Sequence, residues 1–80
     1  MTILRDRLIR CFSAVFPTIP GEAIPTASIE SLKEWDSLNA VTLITVLEEE
    51  FGIRINIRDL TSLSSFKTIE NYLLKRDDIS

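Results

Sequence analysis

Eighty residues at 9.1 kDa, 45% hydrophobic and 26% charged, set the scale of one small globular domain, residues 1–80, with a modest core. Nine Lys and Arg against twelve Asp and Glu leave a net charge of −3. That is the wrong sign for a phosphate backbone or an anionic lipid surface, so no nucleic acid and no membrane is expected as a partner. The chain has no histidine and one cysteine, which excludes a Ser-His-Asp or Cys-His triad, a zinc site of the usual kind and an internal disulfide within it. Cysteine usage this sparse agrees with a reducing compartment.

The first residues carry Arg5, Asp6 and Arg7 where a secretory peptide needs its apolar stretch, and no apolar run is long enough to span a bilayer. A soluble, cytoplasmic, monomeric protein is expected. Leu4, Leu8, Cys11, Phe12 and Val15 recur at helical spacing and predict a first helix over residues 2–16, with Arg5, Arg7, Arg10 and Ser13 on its wet side. Pro17 and Pro20-Gly21 stop it. Residues 17–34 hold all three prolines and show no period. A connection that long is either functional or packed by its own side chains. Ile24, Ile29, Leu32 and Trp35 are the expected anchors.

The strongest helix signal runs from Ser37 to Phe51 and ends at Gly52, a C-terminal cap. Ala40, Val41, Leu43, Ile44, Leu47 and Phe51 share one wide arc, which marks this as the central helix of a bundle. Asn39, Thr42, Thr45, Glu49 and Glu50 take the opposite arc together with Val46, and Leu38 lies at the boundary. The segment 52–58 alternates like a strand, but no second strand is available to pair with it. An extended connector is expected instead, with Ile53, Ile55 and Ile57 inward and a short helix after the cap Asn56. A last helix over residues 65–75, capped by Ser64 or Ser65, buries Phe66, Ile69, Tyr72 and Leu73, and residues 76–80 are expected to fray. The fold class is therefore all-α: a small four-helix bundle of three main helices and one short one, with a long loop between the first two.

Reactive groups are scarce. Glu48, Glu49 and Glu50 point at different angles on a helix end and read as a solvated acidic face, not a general acid/base pair. Cys11 sits on an apolar face and reads as a small hydrophobe. Trp35-Asp36-Ser37-Leu38 is different, because it joins the irregular loop to the mouth of the best helix. Asp36 there is ordinary capping chemistry. The following serine meets unpaired amides and a positive dipole end, which favour an attached anion such as a phosphodiester. With no base to activate it, Ser37 suits an acceptor modified by another enzyme better than a nucleophile.

At this point the chain resembles the acyl carrier protein family. The likeness rests on Asp36-Ser37-Leu38 followed at fixed spacing by Val41, Leu43, Leu47-Glu48-Glu49 and Phe51-Gly52-Ile53, and the helix layout extends it over nearly the whole chain. The resemblance implies a 4′-phosphopantetheine arm on Ser37, transferred from coenzyme A by a phosphopantetheinyl transferase (a holo-synthase). The arm's thiol then carries an acyl group to acyl-loading and acyl-processing enzymes of a fatty-acid, polyketide or other specialised pathway, and the domain itself catalyses nothing. It further implies that Asp36 positions the serine and that Leu38 contacts partners. Leu47, Ile55, Leu60 and Leu63 would line an acyl pocket, though plain core packing explains each singly. An aminoacyl or peptidyl carrier and an unmodified helical interaction module are the alternatives. Asn39 and Thr42 stand where fatty-acid-type carriers present acids, which argues against service to a general fatty-acid synthase. Trp35 replaces the small residue often found before Asp-Ser-Leu. It is either a plain anchor for the loop or a cover over the helix end that narrows the cavity toward short or polar cargo.

Overall fold

Apolar periodicity and capping chemistry place three α-helices where the pattern is strongest. The computed structural model describes residues 3–79: α1 spans Ile3–Val15, α2 Ser37–Phe51 and α3 Phe66–Leu74. Two 3-10 helices join them, Gly21–Thr26 in the long loop and Ile57–Ser62 between α2 and α3. The second is the short helix expected after Asn56, whose side chain accepts from the Arg58 N–H at 3.0 Å. The first was not signalled, because Pro25 lies inside it and six residues are too few to show a period.

Both ends of α2 follow from single residues. Gly52 adopts the left-handed conformation (φ 63°, ψ 36°) and its N–H closes on the Glu48 carbonyl. A side chain there would strain the backbone. Ser65 caps α3 in a reciprocal box with Thr68: the Thr68 N–H donates to Ser65 Oγ, and the Ser65 N–H donates to Thr68 Oγ1.

The core gathers Leu8 and Phe12 from α1, Ile24 from the loop, Leu43, Leu47 and Phe51 from α2, and Phe66, Ile69 and Leu73 from α3, all fully buried. Phe12 is its hub, with ring centroids 6.2 Å from Phe16, 5.4 Å from Trp35 and 5.2 Å from Phe66. Ile53 and Ile55 point inward from the connector as expected; the side chain of Ile57 lies outside the described residues.

Four expectations need correction. Ile29 does not anchor the loop by its side chain, which is 42% exposed. Its backbone does, through the Ile29 N–H to the Ser64 carbonyl (2.8 Å) and, beside it, the Phe66 N–H to the Ala27 carbonyl (3.0 Å). Val41, expected on the buried arc of α2, is 49% exposed, because it stands on the rim of an open groove with Ile44, Thr45 and Leu60. The acidic run is not simply solvated. Glu48 accepts the Ile55 N–H at 2.7 Å and so fastens the connector, and Glu50 meets Arg7 at 2.7 Å. Residues 76–79, expected to fray, are instead tied back to the fold. Arg76 donates to the Tyr72 hydroxyl and grips Asp78, Tyr72 donates to Asp59, and Ile79 packs on the core.

Glu70 is the one buried acidic residue in α3, and Arg5 of α1 reaches it with two hydrogen bonds of 2.7 and 2.8 Å. That guanidinium holds the Glu70 carboxyl below its ordinary value. A carboxyl depressed in the folded state stabilises the fold fully above the unfolded value, and the contribution is lost as pH falls through the folded one. Thermal stability should therefore drop on acidification through and below the ordinary glutamate range. Glu70→Gln should flatten that part of the profile, read by melting temperature against pH; parallel profiles for the two proteins would contradict the assignment.

Candidate functional site

The last turn of the loop is wired before α2 begins. The Trp35 N–H donates to the Leu32 carbonyl (3.2 Å), and the Asn39 side-chain amide donates to the Glu34 carbonyl (2.6 Å). Asp36, in extended conformation, caps the helix by accepting the Asn39 N–H on Oδ1 at 2.9 Å, while its carbonyl takes the Ala40 N–H at 2.8 Å. These two bonds satisfy the third and fourth amides of α2. The amides of Ser37 and Leu38 are left outward-facing, without an acceptor among the described residues. Ser37 is the first helical residue, exposed, and its hydroxyl has no partner among the described residues. An anion esterified there would meet two free N–H donors and the positive end of a fifteen-residue helix.

Leu38 is next, 75% exposed, and Val41 follows one turn on. Thr42 and Thr45 turn their hydroxyls back onto the Leu38 and Val41 carbonyls, both at 3.1 Å. The face beside the serine therefore shows methyl groups and carries no acid at Asn39, Thr42 or Thr45.

A groove of about 360 Å³ opens at Ser37, walled by Trp35, Ala40, Ile29, Leu60 and Thr61. Leu60 also borders a second groove of about 220 Å³, formed by Val41, Ile44 and Thr45 with Glu48, Ile55 and Asn56. The two hollows thus follow one another along the seam between α2 and the second 3-10 helix, with Leu60 between them. Of the four residues considered for an acyl pocket, Ile55 and Leu60 line these hollows. Leu47 is wholly enclosed in the core, and Leu63 is buried on another side, toward Thr68 and Tyr72. Ala40, Val41, Ile44 and Thr61 line the seam and were not singled out from sequence. Helical periodicity assigns a residue to an arc, but not to the rim of that arc.

Trp35 is a core residue, 3% exposed, standing edge-on to Phe12 (interplanar angle 79°) and 5.8 Å from Phe16. It anchors the loop and also forms part of the groove wall beside Ser37. Among the described residues its Nε1–H is the buried side-chain polar atom that lacks a partner. Leaving such a donor unpaired costs about 1–3 kcal/mol.

Cys11 lies in the core between α1 and α2, and its thiol is pushed up to about 11 by burial and the nearby Glu50 carboxylate, against the opposing pull of Arg7 and Arg10. It is held as a protonated thiol. No group of carboxylates and thiols among the described residues could hold a metal ion, and no helix is long and apolar enough to cross a membrane.

The α2 mouth thus presents an exposed serine hydroxyl with no partner among the described residues, beside an open seam. The chain matches the family model described as the phosphopantetheine attachment site over residues 6–73, and it belongs to that family of carrier domains. No solved structure matches it significantly. The family's group is 4′-phosphopantetheine, covalently held, and the residues here fit such a group: two free amides at the α2 mouth, and a groove that opens at the serine and is lined in part by Trp35, whose buried Nε1–H has no partner among the described residues. Carrier domains of this kind are served by a phosphopantetheinyl transferase and by enzymes that process the tethered group.

Proposed function

We propose that Ser37 is the residue that bears the phosphopantetheine arm, and that the protein is a non-catalytic, cytoplasmic carrier of acyl thioesters for a dedicated pathway. The observation that carries this reading is the state of the α2 mouth. The Ser37 hydroxyl is exposed and unengaged, while Asp36 satisfies only the third and fourth amides and leaves the first two for the phosphodiester. The arm supplies a terminal thiol that holds an acyl group as a thioester. The chain's own residues do the rest. The Ser37 and Leu38 amides hold the negative charge, Asp36 fixes the first turn, and Leu38 with Val41 offers an apolar contact to the transferase and to acyl-processing enzymes. The seam past Leu60 gives the arm a sheltered course. Tethering of this sort raises the effective concentration of the cargo at a docked enzyme. The absence of acids at Asn39, Thr42 and Thr45 favours dedicated enzymes over a general fatty-acid synthase, because rim charges set on-rate and partner choice.

The test is a loading reaction with coenzyme A and a promiscuous phosphopantetheinyl transferase, read by intact mass. Wild type should gain a single arm, and Ser37→Ala, which keeps a helix-compatible residue at the first position, should gain none while retaining its melting temperature. A folded wild type that gains no mass would identify an unmodified interaction module instead.

A further inference from the structure

The indole of Trp35 presents an excess that packing alone does not account for. The ring of Trp35 packs on Phe12 and Phe16, a contact that phenylalanine would also make without enclosing a donor. Tryptophan adds an N–H that is buried and has no acceptor among the described residues. The same side chain forms part of the groove wall next to Ser37, two residues from the proposed attachment point. The fold leaves this donor unsatisfied on a residue that lines the groove, and a group entering that groove can supply the acceptor.

We propose that the Trp35 Nε1–H is a binding group for the tethered arm, donating to a carbonyl oxygen that lies in the groove. The inference rests on the assignment of Ser37 as the attachment residue. The phosphodiester is not the acceptor, since the Ser37 and Leu38 amides face it. The remaining acceptors of matching chemistry are the amide carbonyls of the arm and the thioester carbonyl of the cargo. In the apo protein Nε1 is covered, so the bond forms when the indole turns slightly toward the groove, with its ring still resting on Phe12. Trp35 is thus a positioning residue that holds the arm along the seam toward Leu60, and it takes no part in bond making.

Trp35 is the only tryptophan in the chain, so one indole resonance reports the site. The full chain is prepared as apo, arm-loaded and acylated forms, each verified by intact mass, and the hydrogen exchange of the indole N–H is followed by NMR. Exchange should slow about tenfold on loading or on acylation, the factor set by a net hydrogen bond of about 1.4 kcal/mol. Slowing already in the loaded form identifies an arm amide, and slowing only after acylation identifies the thioester; both support the proposal. Unchanged exchange in both loaded forms overturns it and leaves the Ser37 assignment standing, whereas failure of wild type to gain mass overturns both. A second measurement uses Trp35→Phe. Loading should raise the melting temperature of wild type more than that of the variant, and an equal rise in the two would also overturn the proposal. Should the variant not fold, the wild-type exchange experiment decides alone.

Discussion

Replacing Phe12 by alanine is expected to lower the melting temperature by at least about 12 °C, with a loss of about 3–5 kcal/mol. The ring is fully buried and touches Phe16, Trp35 and Phe66, so its removal opens a cavity where α1, the long loop and α3 meet. A chain of eighty residues holds a total stability of only about 4–12 kcal/mol, and the loss is a large fraction of it. The functional consequence follows from Trp35, which stands edge-on to Phe12 and, one residue before Asp36, sets where the cap of α2 sits. Loading at Ser37 should fall in step with the folded fraction. Leu74→Ala is the matching control, because that side chain is 57% exposed at the end of α3 and should cost no more than about 0.5 kcal/mol. A Phe12→Ala protein that melts within a few degrees of wild type would mean that the aromatic cluster is not the hub of this core.

The contrast between those two positions shows what the sequence makes legible. α2 could be bounded to the residue because both boundaries are chemical: an aspartate that caps, and a glycine that alone tolerates the left-handed turn at position 52. The second 3-10 helix was readable from Asn56 for the same reason. The long loop was readable in its side-chain anchors, since Ile24 and Trp35 are buried and Leu32 packs on the core, but not in its join to α3, which is a pair of backbone hydrogen bonds between residues 27–29 and 64–66. Any residue but proline can donate these, and no side-chain pattern announces them. Glu48 and Glu50 were misjudged for a related reason. An acidic run looks solvated until tertiary structure brings an amide of the connector or an arginine of α1 against it. At the site, Asp36 was visible as the cap, and Ile55 and Leu60 as lining of the seam through the resemblance, whereas Ala40, Val41, Ile44 and Thr61 were not, since the seam exists only once the second 3-10 helix has folded back beside α2. The unpaired Trp35 donor had no sequence signal at all.

Leu38 gives the converse of the Phe12 case, a large functional effect with almost none on the fold. Its side chain is 75% exposed in the first turn of α2, directly after the proposed attachment residue, and contributes little to the core. Truncation to alanine should therefore leave stability within about 0.5 kcal/mol of wild type. A transferase that reaches the Ser37 hydroxyl must cover Leu38 as well, and an exposed apolar side chain beside the reacting group is the natural occupant of a pocket on the enzyme. Losing a buried contact of that sort costs about 1–2 kcal/mol, so kcat/KM for arm transfer should fall roughly tenfold, while Leu38→Met should recover most of it. Val46 supplies the reference, since it is half-buried against α1 beside Arg10, Cys11 and Ala14. Val46→Ala should weaken packing yet leave the loading rate of the folded protein unchanged. If Leu38→Ala is loaded as fast as wild type, the apolar contact with the transferase must be sought elsewhere on α2, with Val41 next in line, and the assignment of Ser37 is untouched.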